Sequence, residues 1–211
     1  LTSLVSFAPT PFNQQGTCSK MWSRSDAPRI MIVRLSAIGD SILTLPVLNA
    51  LRDHFPHARL SWLIADYCAP IVRGHESLDE LVEVNRGWLK SPRTIKQVRR
   101  RLHDMRLDVT IDVQGLAKSA LPAWLSGAKR RIGFSRADRE GREFSTWLNN
   151  ELVHPSALHV IDRNLGLLKP LGIDNPTVRF DVPEHPSEIK AASDFIESRT
   201  LRQGFVVLTG G

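Results

Sequence analysis

Cysteine is scarce: Cys18 and Cys68 are the only two among 211 residues, and they stand far apart in the chain. Such a pair suggests neither a disulfide framework nor a thiolate metal site, and a reducing, cytoplasmic setting fits it best. Long apolar runs are missing as well. No stretch approaches the length needed to cross a bilayer, and residues 1–28 lack the basic start and continuous apolar segment of a signal peptide. Rich in Ser, Thr, Pro and Gln, residues 1–28 read as a disordered leader or a misplaced start. There is no complete Gly-x-Gly-x-x-Gly fingerprint and no phosphate loop closing on Gly-Lys-Ser/Thr, which sets aside NAD binding and ATP hydrolysis. No serine or cysteine elbow, heptad run or internal repeat is visible.

What is present is an ordinary globular composition, 42% hydrophobic and 24% charged, with a formal net charge of +6. That excess favours an anionic partner: nucleic acid, an anionic membrane surface, or a phosphorylated or carboxylated substrate.

From Arg29 the pattern changes abruptly. Ile30-Met31-Ile32-Val33 is the continuous apolar run expected of a strand buried on both faces. Apolar residues at 42, 43, 45, 47, 48, 51 and 55 then recur at helical spacing, with Pro46 kinking that helix or sitting near its first turn. The alternation continues with a strand over 60–65, a short helix over 67–73, a strand over 81–84 and a basic helix from the Ser91-Pro92 start to about Arg106. A strand over 108–113, a helix over 115–126 ended by Gly127, and a short strand over 131–134 follow. Residues 135–156 read as a functional loop with a helical portion and no further strand. A helix from about Leu158 to Leu171 is capped by Gly172, and another spans 187–198. Phe205 to Leu208 reads as a new buried strand. Parallel neighbours need a crossover, so this βα alternation predicts a doubly wound, Rossmann-like parallel α/β sheet. The expected division is leader 1–28, ligand-binding domain 29–175, interdomain connection 176–204 and the opening strand of a second domain at 205–211.

Ligands of open parallel sheets collect at the carboxyl ends of strands, which draws attention to Ser36-Ala37-Ile38-Gly39-Asp40 after the first strand. Gly39 is expected to permit a tight turn, and Asp40 to cap the following helix or to act as a general base on a hydroxyl. A second polar set, Asp112-Val113-Gln114-Gly115 with Lys118, ends another strand at the same edge. Lys118 either meets an anion there or is a solvated helix lysine. Trp88-Leu89-Lys90 forms a comparable edge loop. The Arg99-Arg100-Arg101 run tempts a nucleic-acid reading, but consecutive helical arginines point to different faces and stacking aromatics are sparse around them. Lys129-Arg130-Arg131, with Arg136, Arg139 and Arg142, are the better candidates for gripping phosphate or carboxylate, unless they serve solubility alone. His54 and His57 have metal-like spacing, but Pro56 breaks the helix that would align them. His159 reads as a structural polar residue.

The stretches from Ile32 to Asp40 with Thr44-Leu45-Pro46, from Asp112 to Ala120, and from His159 to Gly172 together resemble the heptosyltransferases of lipopolysaccharide core synthesis, in glycosyltransferase family 9 and of the heptosyltransferase I type. The resemblance covers about residues 29–175. It implies the acceptor half of a GT-B enzyme that inverts the anomeric centre without a catalytic metal. It also implies transfer of heptose from ADP-heptose, a nucleotide-sugar substrate with no separate cofactor, to a Kdo-lipid A type acceptor at the inner membrane surface. Nucleic acid is then not expected as a partner. Asp40 matches the family's base, with Ser36, Gly39, Lys90, Gln114, Lys118, Arg136 and Arg139 around the acceptor, and Gly210 and Gly211 at the start of the donor side. On this reading a chain ending at the start of the donor half binds acceptor without transferring sugar. The competing reading is a non-catalytic module for anionic glycolipid or membrane.

Overall fold

The computed structural model describes residues 26–135, 145–154 and 157–199. Six strands form one sheet: β1 (Arg29–Val33), β2 (Arg59–Ala65), β3 (Glu80–Val84), β4 (Val109–Asp112), β5 (Arg130–Phe134) and β6 (Glu151–Val153). All neighbours are parallel and the spatial order is β3-β2-β1-β4-β5-β6. This is the doubly wound α/β fold expected from the sequence. The chain winds outward from β1 in one direction, returns, and winds outward from β4 in the other, so the strand order reverses between β1 and β4.

Helices cover both faces, which explains why β1 is apolar throughout. Ile30 and Ile32 pack into a core shared with Trp62, Ile111 and the helices α2 (Leu45–His54) and α6 (Val160–Gly166). Met31 and Val33 face the opposite core, with Leu63, Leu102 of α3 (Pro92–Asp104) and Ala123 of α4 (Ala117–Leu125). Alternate side chains of one strand thus go to different cores.

Element bounds shift for identifiable reasons. The apolar periodicity after β1 divides into α1 (Ile38–Ile42) and α2, and Pro46 occupies the first turn of α2, where a missing amide costs nothing. Ser91 stands at the N-cap of α3, but its side chain makes no capping bond. His159 caps α6 by accepting from the Ile161 amide at 3.3 Å. After α6 the chain tightens into a 3-10 turn at Lys169–Leu171, ended by Gly172 in the left-handed region at φ 79°.

The loop expected over 135–156 is corrected by β6, which pairs Ile132 with Glu151 and Phe134 with Val153. Three residues with one side chain exposed give no hydrophobic run to detect. The pairing is instead secured by charge: Arg130 donates to both Glu151 carboxylate oxygens at 2.6 and 2.7 Å. A short helix, α5 (Ser145–Leu148), precedes it and packs on α4.

The stretch expected as a connection runs back along α2. Asn49 donates to the Arg179 carbonyl at 3.0 Å, and Arg179 pairs with Asp53 at 2.8 Å. It is followed by α7 (Pro186–Ser198), which buries no residue. The expected leader up to residue 25 and the expected strand 205–208 lie outside the described residues. No described helix is long and apolar enough to cross a membrane.

Candidate functional site

The reversal between β1 and β4 places two loops side by side at the carboxyl edge of the sheet. The first, 34–37, is fixed from both sides. The Arg34 amide donates to the Leu63 carbonyl at 3.2 Å, the Ala65 amide to the Leu35 carbonyl at 3.1 Å, and the Trp62 indole to the Arg34 carbonyl at 3.2 Å. From the β4 side, Gln114 accepts from the Leu35 amide at 3.0 Å and donates to the Ser36 hydroxyl at 3.3 Å. Gln114 is buried. It therefore joins the two loops and does not reach outward as an acceptor ligand.

Asp40 occupies the third position of α1, and its side chain is 45% exposed. Its Oδ2 pairs with the Arg34 guanidinium and accepts from the Ala37 amide at 3.4 Å. Arg34 is itself held by the Val113 carbonyl at 3.0 Å. Among the described residues nothing engages Oδ1, so the carboxylate is oriented by one oxygen and open at the other. Asp40 supports the start of its helix, as one sequence-based alternative expected, while remaining accessible. Arg34 was quoted only as part of a motif in the sequence; its signal is a charged residue directly after a doubly buried strand.

Gly39 departs from expectation. It lies within α1 and is not among the glycines at positive φ, so no left-handed turn depends on it. A Cβ there would meet nothing within 4 Å.

Ser36 and Lys118 line one cleft of ≈ 210 Å³ at this edge, together with Tyr67, Arg86, Trp88 and Leu89. The Arg86 guanidinium lies over the Tyr67 ring at 5.0 Å, and Lys118 is exposed at the start of α4. The cleft thus combines two cations, aromatic walls and a hydroxyl, a set suited to an anionic, hydroxyl-rich ligand. Lys90 stands at the same edge but does not line the cleft; its amide closes on the Gly87 carbonyl at 2.8 Å. Arg136, Arg139, Arg142, Gly210 and Gly211 lie outside the described residues. A larger concavity of ≈ 390 Å³ between β6 and α6 contains His154, Asp162 and Lys169, but no residue of the 34–40 or 112–118 segments lines it. Position relative to the sheet outweighs size here.

Behind the cleft, Asp112 is fully buried. One oxygen accepts from the amides of Gln114 at 3.2 Å and Gly115 at 3.0 Å, and the other from Asn149 at 3.3 Å. Burial pushes its carboxyl above the ordinary value of 3.8, against the lowering effect of these bonds. Asp112 shapes the β4–α4 turn that carries Lys118.

The basic run at 129–131 requires correction. Arg130 is buried and donates to Glu151 and to the Pro170 carbonyl at 2.8 Å, while Arg131 donates to the Leu148 and Ala128 carbonyls at 2.7 and 2.8 Å. These guanidiniums grip the protein at the amino edge of β5, remote from the cleft. Lys129 is exposed beside them. Among the described residues no group of three or more His, Cys, Asp or Glu side chains is arranged to hold a metal.

Comparisons with known proteins bear on this geometry. The chain is 29% identical over 163 residues to lipopolysaccharide heptosyltransferase 1 of Salmonella typhimurium, a match covering 72% of this chain and 51% of that protein. It spans about half the length of the curated relatives it matches. An Escherichia coli heptosyltransferase solved with ADP-2-deoxy-2-fluoro heptose superposes with a TM-score of 0.63 and 26% identity, over 72% of this chain and 51% of that one. A family 9 glycosyltransferase from Veillonella parvula shares the fold at a TM-score of 0.71 and 20% identity, over 87% and 53% of the two chains. The sheet corresponds to the amino-terminal Rossmann-like domain of a GT-B enzyme. The model of glycosyltransferase family 9 (heptosyltransferase) matches residues 95–209, more than half of the chain, and the chain belongs to that family.

Proposed function

We propose that residues 29–175 form the acceptor-binding half of an inverting, metal-independent heptosyltransferase, with 176–204 connecting to a donor-binding half that opens at 205–211. The observation that carries this reading is the posture of Asp40: Oδ2 held by Arg34 and an amide, Oδ1 open, at the end of the same loop whose Ser36 lines the cationic cleft.

In this mechanism an acceptor hydroxyl approaches Oδ1. As the hydroxyl oxygen attacks the anomeric carbon of ADP-heptose, its proton passes to Asp40, the bond from that carbon to the β-phosphate oxygen breaks, and ADP departs with the bonding electrons. Arg34 keeps the carboxylate aimed, and the Gln114 bridge keeps the Asp40 loop in register with the lysine loop. Lys118 and Arg86 meet carboxylates or phosphates of a Kdo-bearing inner core, Ser36 contributes a hydroxyl, and Lys90 attracts the same charge from the rim. Arg136 and Arg139 are assigned to the acceptor, and Gly210 and Gly211 to the donor, by family resemblance alone. The working location is cytoplasmic, at the inner membrane surface.

The test uses a transfer-competent protein in which this stretch is joined to a donor-binding half of the family. Asp40→Ala is expected to lower transfer of labelled heptose by about a hundredfold or more, the usual contribution of a general base, while the acceptor still binds. Transfer at the parent rate would reject the base assignment.

A further inference from the structure

We propose that the α3–α4 face of this domain is a docking surface for an anionic phospholipid bilayer. The inference rests on the proposed function in one respect: a lipid-linked acceptor must be met at a membrane, and the cleft then needs a face that holds it there.

Helix α3 is two-sided. Ile95, Val98, Leu102 and Met105 turn toward the core beneath it. Arg93, Lys96, Arg99, Arg100, His103 and Arg106 are exposed along and just beyond its length. Thirteen helical residues span about 20 Å, so the charges form a stripe and not a point. The acidic residue of this helix, Asp104, stands 3.9 Å from Arg100. Among the described residues, the side chains of Arg93, Lys96, Arg99 and Arg106 have no hydrogen-bond or ion-pair partner. This differs from the fully engaged Arg130 and Arg131.

An apolar element lies beside the stripe. Helix α4 packs against α3 in the same layer, and its end meets the last turn of α3, where a Cβ built on Gly127 would lie 3.7 Å from the His103 ring. One turn earlier Trp124 is 52% exposed, and Trp147 on the adjoining α5 is 72% exposed. Lysines and arginines flanked by exposed tryptophans suit a headgroup layer, where the cations meet phosphates and the indoles enter the interface. Nucleic acid is the less favoured partner: a single strand would call for rings interleaved with the stripe, and a duplex backbone held by the basic side chains would give the exposed indoles no role. The layer also adjoins the cleft: Lys118, on the cleft wall, is the second residue of α4, and Ser91, directly after the Trp88-Leu89-Lys90 turn, leads into α3.

The test measures co-sedimentation of the 211-residue chain with phosphatidylethanolamine vesicles, with and without phosphatidylglycerol. Binding is expected only with the anionic lipid and should weaken as salt rises. One basic side chain near an anionic leaflet is worth about fivefold in affinity, so the triple variant Arg93→Gln, Lys96→Gln, Arg99→Gln should bind on the order of a hundredfold more weakly. Replacing Arg93 and Arg99 by Lys should retain binding. Trp124→Gln should reduce the part that survives high salt. Circular dichroism of each variant verifies folding. Equal sedimentation with neutral vesicles, or undiminished binding by the triple Gln variant, would overturn the proposal. So would tighter binding to duplex DNA that the same variant loses. Affinity for a water-soluble Kdo oligosaccharide reports on the cleft separately. Vesicle binding without sugar binding keeps the docking face and removes the acceptor reading.

Discussion

The two edges of the sheet use arginine and lysine in opposite ways. At the amino edge Arg52 reaches the Pro56, Ala58 and Ser77 carbonyls and the Asp79 carboxylate, and Arg130 and Arg131 close on Glu151 and three further carbonyls. At the carboxyl edge Arg86 rests on a tyrosine ring and Lys118 stands exposed in a cleft. Arg34 is the exception there, closed upon Asp40 and the Val113 carbonyl. A positive charge in a basic chain is thus informative only once its donors are accounted for. Filled forks hold the fold, and open ones are left available to solvent or to a ligand.

The comparison can be broken most directly at Arg130. Arg130→Ala leaves Glu151 without its guanidinium and frees β6, and should cost about 3 kcal/mol in urea unfolding without altering acceptor affinity in the folded fraction. A loss of affinity comparable with that at the cleft would erase the distinction between the edges. Next in size is Gly133→Ala. The new methyl would lie 2.2 Å from the Asn149 amide nitrogen, so Asn149 must withdraw from Asp112. About 2 kcal/mol of stability should be lost, the usual cost of overpacking, with a disturbed β4–α4 turn visible as altered amide exchange at Gln114 and Gly115.

A smaller effect should follow pH. His75 is buried ahead of β3, and desolvation pushes its imidazole below the ordinary 6.5, against the raising influence of the Phe180 backbone and of Asp181 and Glu76. The unfolded chain consequently takes up a proton more readily than the folded one. The stability that depends on neutral His75 is complete above 6.5 and declines as pH falls through that value toward the folded pKa. Thermal midpoints across this range should fall toward acid, less so in His75→Gln. The smallest structural effect belongs to Lys118→Ala. Its unfolding midpoint should match the parent, whereas calorimetry with a Kdo-bearing acceptor should show binding about tenfold weaker, the scale of one charge-assisted hydrogen bond.

Much of this architecture is legible in the sequence because doubly covered strands must be apolar on both faces. Ile30 to Val33 announces such a strand without ambiguity, and the βα alternation then fixes a parallel sheet. β6 escapes for the converse reason: three residues held by an ion pair carry no periodic signal. In the site, Asp40, Ser36, Gln114 and Lys118 are found at one edge because strand ends are where polar residues interrupt apolar runs. The Arg34 pairing escapes because it joins residues on either side of a turn whose path periodicity does not describe. Arg130 and Arg131 look like ligands in sequence because their partners, Glu151 and the Leu148 and Pro170 carbonyls, come from later segments.

The Gln114 bridge has a consequence for how such a site can change. Its amide holds the Leu35 backbone and the Ser36 hydroxyl at once, so the position of the 34–40 segment depends on that of the 112–118 segment. Replacing Gln114 alone by Ala would leave the Leu35 amide and the Ser36 hydroxyl without the side chain that aligns them. In the proposed acceptor cleft, Tyr67, Arg86 and Leu89 stand on a wall that the bridge does not touch, and substitutions there should change ligand preference without moving the Asp40 loop.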